Sequence, residues 1–160
     1  MSADLFYVFL YGMTPIGELR IAIPLGISVF NLSWYIVYPV AIAGNMIPPL
    51  IIIPFLRLLN KYTRYLPLPL TRLIDWQTLR IRRLHTDRFN RYGALALVSF
   101  VAIPLPITGA WTGSLAAYLF EVSFRRSIAL IGLGLLISGI IVTALALSGV
   151  EIAGIITRPS

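Results

Sequence analysis

The sequence predicts an all-α integral membrane protein. Its expected plan is two inverted repeats, each a re-entrant helical hairpin followed by a transmembrane helix, joined by a basic cytoplasmic amphipathic helix. Three observations lead there. The 160 residues are 58% hydrophobic and 12% charged, with a mean hydropathy of +0.87, which leaves too few charged side chains to coat a soluble domain. The cations are clustered: of thirteen, nine lie between Arg57 and Arg91, and Arg125 and Arg126 form a second group. A short string also recurs, Ala-Ile-Pro-Leu at 22–25 and again at 102–105.

By length the chain is a single membrane domain, 1–160. It divides into a first repeat (1–56), a basic linker (57–92), a second repeat (93–150) and a tail (151–160). No cysteine is present, so disulfides are excluded. The start, "MSADLFYVFLYGM", has no basic n-region and carries Asp4, unlike a cleaved signal peptide. The net charge of +7 fits cations gathered on cytoplasmic loops under the positive-inside rule, and no nucleic-acid partner is expected.

Charge sets the topology. The segment 57–92 is expected in the cytoplasm, and so are Arg125 and Arg126. Between them, Gly93 to Phe120 is a run of 28 uncharged residues. A single crossing would put the two arginines outside, and two full spans need roughly 40 residues. A hairpin that enters and returns on one side fits, made of two half-helices of about 12 residues that each rise about 18 Å. Pro104, Pro106, Gly109 and Gly113 are its expected breaks. The 24 uncharged residues from Ser127 to Val150 then form the plainest transmembrane helix and place the C-terminus outside.

The first half follows by analogy. "FNLSW" at 30–34 matches "FEVSF" at 120–124, and Gly44 then matches Gly134. The hairpin is expected from about Leu5 to Phe30, broken around Pro15, Pro24 and Gly26. A helix from about Ser33 to Leu56 follows, kinked or broken by Pro39, Pro48, Pro49 and Pro54. It ends at Arg57 in the cytoplasm, so the first hairpin enters from outside and both termini lie outside. Opposed hairpins make an inverted-topology repeat, a design of secondary transporters. In the linker, Leu70, Leu73, Ile74, Ile81 and Leu84 share a helical face, while Arg80, Arg82 and Arg83 fall elsewhere. This predicts an amphipathic helix on the membrane surface, with anionic headgroups at those arginines. His85 in this basic run reads as an ordinary exposed histidine.

Chemistry is sparse. Glu18 and Arg20 are the only charges between Asp4 and Arg57. A charged arginine at the centre of a membrane helix costs about 2.5–3.5 kcal/mol, so the two must be paired, face water, or act. A salt bridge would suffice, yet residues two apart on a helix point to different sides, so a break or separate partners are needed. Asn45 either bonds carbonyls freed by Pro48 and Pro49 or belongs, with Trp111, among the substrate and proton-coupling residues. Thr108 and Thr112, flanking Trp111, would either satisfy the broken backbone or face a substrate. Broken tips at membrane depth must be buried in protein or line a wet cavity, so they can make a polar site at the midplane. No nucleophile–base set, metal-ligand cluster or phosphate loop appears, so no enzyme, cofactor or metal is expected.

The strings "GELRIAIPLG" and "FVAIPLPITGAWTG" resemble the small multidrug export protein family, a distant branch of the DedA superfamily, over nearly the whole chain. Family members often carry glycine where this chain has Ile21 and Ile107. The resemblance implies two facing re-entrant hairpins, each followed by a membrane helix. It also implies proton-coupled movement of lipid or lipid-phosphate, with Glu18 and Arg20 matching by position in the motif. The second hairpin has no acid before its prolines, so a paired-carboxylate mechanism is not supported.

The expected function is a multi-pass cell-membrane transporter or flippase, proton-coupled through Glu18, with Arg20 holding an anionic group of a small molecule or lipid. An uncoupled lipid scramblase, a structural membrane protein, and a multidrug exporter of lipophilic cations are the alternatives. Membrane lipids are the expected partners, and a homo-oligomer is compatible with the sequence.

Overall fold

A computed structural model describes residues 2–63, 87–105 and 108–156, with side chains described at 2–59, 93–105 and 108–149. The amphipathic helix expected around 70–84, with Arg80, Arg82, Arg83 and His85, lies outside the described residues, as does Pro106. Six α-helices account for the described chain: α1 (Ser2–Met13), α2 (Glu18–Pro24), α3 (Trp34–Thr63), α4 (Asp87–Ala102), α5 (Ala110–Leu119) and α6 (Phe124–Ile156). No strand occurs among the described residues. The order repeats: helix, break, helix, tight turn, long helix.

The first break is made by Thr14 and Pro15. Thr14 Oγ1 donates to the Tyr11 carbonyl at 2.8 Å and accepts from Gly17 N–H at 3.1 Å. It satisfies groups that the end of α1 leaves open. Pro24 and Gly26, expected as breaks, do not reverse the chain. Pro24 is the last residue of α2, and Gly26 lies in a π-turn, Leu25–Val29, that carries the helix on. Proline removes one helical donor, and the wider turn absorbs the mismatch without ending the helix. Gly113 likewise lies inside α5, whereas Pro15, Pro104 and Gly109 do fall in the breaks.

The recurring Ala-Ile-Pro-Leu is therefore not a structural repeat. Its first copy lies after the first break, in α2 and its π-turn, and its second copy begins at the last residue of α4, before the second break. The serine-aromatic match does hold in the backbone. Asn31 (φ +51°) and Glu121 (φ +53°) both take the left-handed conformation that closes a helix. Gly44 and Gly134 also correspond. A Cβ at Gly44 would lie 2.2 Å from the Phe9 carbonyl oxygen on α1, and one at Gly134 would lie 2.7 Å from Val101 Cβ on α4. Each glycine lets the first arm of its half close onto the long helix.

The long helices exceed their expected limits. α3 stays one helix through all four prolines and runs to Thr63 instead of ending at Arg57. α6 begins before Ser127 and continues into the expected tail, and α4 begins at Asp87, inside the expected linker. Charged residues at helix ends need not stop a helix when its carbonyl ladder can continue. α3 and α6 cross antiparallel. Met46 faces Gly132, the Tyr38 ring faces Gly139, and Tyr38 Oη donates to the Leu136 carbonyl at 3.0 Å. Each short arm packs on the other half's long helix, α2 on α6 and α5 on α3. Leu19, Ile23, Val37, Val101, Ile131 and Leu135 anchor the shared core.

Trp34–Leu59 and Phe124–Gly149 are each long and apolar enough to cross a membrane. Their outer faces match that medium: Ile51 is 61% exposed, Ile140 62% and Leu145 65%. In hydrocarbon such surface carries none of the penalty it would carry in water.

Candidate functional site

The two breaks meet, and Glu18 stands where they do. It is the first residue of α2 and adopts φ +45°, uncommon for a residue with a side chain. That conformation breaks the regular helical backbone at the start of the pair. It also resolves the objection that residues two apart diverge: Arg20 Nη2 donates to Glu18 Oε2 at 3.1 Å, because the residue that starts the pair is itself the irregular one. The salt bridge that the spacing argued against is present, with no helix break between the two residues, and it is only part of the arrangement.

The carboxylate also reaches the other half. Its Oε1 accepts a long bond, 3.5 Å, from the Trp111 N–H. That N–H lies in the first turn of α5, where the donors have no partner within the helix, and a carboxylate there also meets the positive end of the helix dipole. Gly109 makes the approach feasible. With φ +150° it occupies a region that strains any side-chain-bearing residue, and a Cβ there would lie 1.7 Å from Glu18 Oε2.

Arg20 completes the bridge. The same Nη2 that holds Glu18 donates to the Thr108 carbonyl at 2.9 Å. One guanidinium thus joins its own break to a freed carbonyl of the second. Glu18 is buried, while the Arg20 side chain remains 19% exposed.

The threonines divide. Thr108 Oγ1 accepts from Leu105 N–H at 3.0 Å and donates to carbonyls of the same break, so it satisfies broken backbone. Thr112 Oγ1 is buried with no partner. Trp111 ties the breaks once more, its Nε1 donating to the Met13 carbonyl at 3.0 Å. Asn45 departs from expectation. It is fully buried, yet neither Nδ2 nor Oδ1 has a partner, so it does not bond carbonyls freed by Pro48 and Pro49. An unpaired buried polar atom costs about 1–3 kcal/mol, and such atoms are rare enough to need a reason. Sequence reasoning selected Asn45 and Thr112 but did not foresee that they would be unpaired. Nor did it foresee the role of Gly109 as the seat of the carboxylate.

A family model described as "Putative small multi-drug export protein" matches residues 18–141. The chain belongs to this family. The matched span begins at Glu18 and takes in Arg20, Asn45, Thr108, Trp111 and Thr112, so the Glu18–Arg20–Thr108 bridge lies inside it. No curated protein and no solved structure matches the chain. Membership in an export-protein family, with two helices able to cross a membrane, fits a membrane transporter. The family match carries no link to the DedA superfamily.

Proposed function

We propose that the protein is a proton-coupled membrane transporter or flippase. Its substrate is a small amphiphile with an anionic group, and its site lies between Glu18 and Gly109. The observation that carries this reading is the Glu18–Arg20 pair, 3.1 Å apart, whose guanidinium also holds the Thr108 carbonyl of the opposite break at 2.9 Å. Burying an ion pair is weak support for stability. A costly pair at a point where two helices are broken is better explained by use.

The chemistry follows from what the carboxylate occupies. Glu18 fills the anion position at the start of α5 and beside Arg20. An anionic substrate would need the same donors. Protonating Glu18 removes its charge and loosens both contacts, which frees Arg20 and the α5 donors for the substrate. Proton and anion then bind together and move in the same direction. No enzymatic step belongs to this reading. The family's export name favours a second reading, in which ionised Glu18 is the counter-charge for a lipophilic cation that exchanges against protons. Arg20, in contact with that carboxylate, weighs against it.

The surrounding architecture belongs to the same proposal. The repeated order of elements supports two re-entrant hairpins in inverted repeats. The basic residues from Arg57 to Arg91 support a cytoplasmic linker and termini on the outside. Arg80, Arg82 and Arg83 would lie near anionic headgroups. Liposomes containing the protein, tested with fluorescent phosphatidylglycerol and with ethidium under pH gradients of both signs, separate the readings. The lipid probe is expected to follow the proton. Gradient-independent movement would make it an uncoupled scramblase, and ethidium driven against the proton would establish the cation exporter.

A further inference from the structure

We infer that Arg57 is a positioning residue for the Glu18 site. By holding the Val122 carbonyl it fixes α5 along its axis, and so sets whether the Trp111 N–H reaches the Glu18 carboxylate. The transporter reading supplies only what that carboxylate is for, and the positioning rests on separate observations.

The first is a bond across the two halves. Arg57 lies on α3, and its Nη2 donates to the Val122 carbonyl at 2.6 Å. A guanidinium donor makes such a bond short and about twice as strong as a neutral one. Val122 belongs to the turn after α5, and this turn is bonded back onto the helix. Phe120 N–H reaches the Ala116 carbonyl at 2.9 Å, Glu121 N–H the Tyr118 carbonyl at 3.0 Å, and Val122 N–H the Ala117 carbonyl at 3.0 Å. At the other end, Gly113 N–H reaches the Gly109 carbonyl at 2.8 Å. The chain from Gly109 to Val122 is therefore one hydrogen-bonded rod, and a hold on its end is a hold on all of it.

The second is the face that α5 buries. Ala110, Gly113, Ser114 and Ala117 make it, and all are small. They allow close approach but bring no large side chain to interlock with a neighbour. Packed helices can slide past one another by small amounts, and this face does little to stop it. Polar ties must then set the register. At the break end, Arg20 holds the Thr108 carbonyl and the Trp111 indole holds the Met13 carbonyl, both tying α5 to the first break. Arg57 ties the far end to the long helix α3, on which α5 packs.

The third is how little slack the site has. The Trp111 N–H meets Glu18 Oε1 at 3.5 Å, the limit of a hydrogen bond, so any withdrawal of α5 breaks it. Trp111 lies about 16 Å along the chain axis from Val122, so Arg57 acts through the rod and not by contact. The other half has no such hold. Arg57 follows Gly44 by thirteen residues, and the residue thirteen beyond the corresponding Gly134 is Leu147, which has no side-chain donor.

Fluorescence of the purified chain in an uncharged detergent tests this, with Trp34→Phe and Trp76→Phe so that Trp111 alone reports. The detergent removes any part that Arg57 plays with lipid headgroups or in membrane topology. Arg57→Leu gives this position the residue of its counterpart. It is expected to loosen the indole bond to Met13, shift the Trp111 emission, and weaken binding of short-chain phosphatidylglycerol about tenfold. Arg57→Lys keeps a charged donor and should restore both. Arg57→Gln, with its donor on a shorter stem, carries the same test should leucine not give folded protein. Unchanged Trp111 emission in Arg57→Leu would overturn the proposal, as would a shift that leaves probe binding at the wild-type value. Wild type that neither binds nor moves the probe would remove the transport reading, while the emission shift and its rescue by lysine would still establish the positioning.

Discussion

The two breaks have the same place in their halves and opposite roles. Gly17 precedes α2 and Gly109 precedes α5, so Glu18 and Ala110 are equivalent first residues. The first break supplies both charges, Glu18 and Arg20. The second supplies backbone: a donor at Trp111 and an acceptor at Thr108. A site assembled from two similar halves can thus be chemically one-sided, with one half bringing the titratable group and the other the cradle that receives it.

That comparison is most easily broken at its glycines. Gly109→Ala adds a Cβ into the Glu18 carboxylate and forces strained backbone. It should cost about 3 kcal/mol or more and leave little monodisperse protein on size-exclusion chromatography. Arg20→Lys keeps the charge but loses the planar fork. Binding of an anionic probe should weaken about tenfold with melting temperature little changed. Gly17→Ala makes the smallest change. Gly17 has an ordinary φ of −78°, and its new Cβ would meet chiefly the movable Thr14 hydroxyl at 2.6 Å and the Tyr11 carbonyl at 2.9 Å. A loss of about 1–2 kcal/mol in thermal unfolding is expected, below that of Gly109→Ala. Equal losses at the two glycines would mean that the breaks are not differentiated as argued.

Much of this plan is legible in the sequence, because charge and hydropathy act over long runs. The uncharged stretch from Gly93 to Phe120 does hold two helices around a break, and the "FNLS" and "FEVS" turns share a left-handed residue. Proline misleads locally. Pro24 and the four prolines of α3 sit in helices that continue, since neighbouring turns and packing replace the lost bond. The site was half legible. Two charges in an apolar run mark Glu18 and Arg20, but their partners at Thr108, Gly109 and Trp111 lie some ninety residues away. No local pattern encodes which backbone a carboxylate will meet. Asn45 was visible as a polar residue among prolines, while its lack of a partner is a property of packing alone.

The central claim is that the Glu18 carboxylate, seated between Arg20 and the start of α5, is the group that links substrate movement to the proton. Glu18→Gln keeps the shape and one accepting oxygen, puts an amide donor in place of the other, and removes the proton switch. The decisive measurement compares this variant with wild type in liposomes, following fluorescent phosphatidylglycerol with and without a pH gradient. The account predicts that the gradient accelerates wild type and not Glu18→Gln, while the variant stays folded and retains part of the gradient-free exchange. A variant that responds to the gradient as wild type does would contradict it.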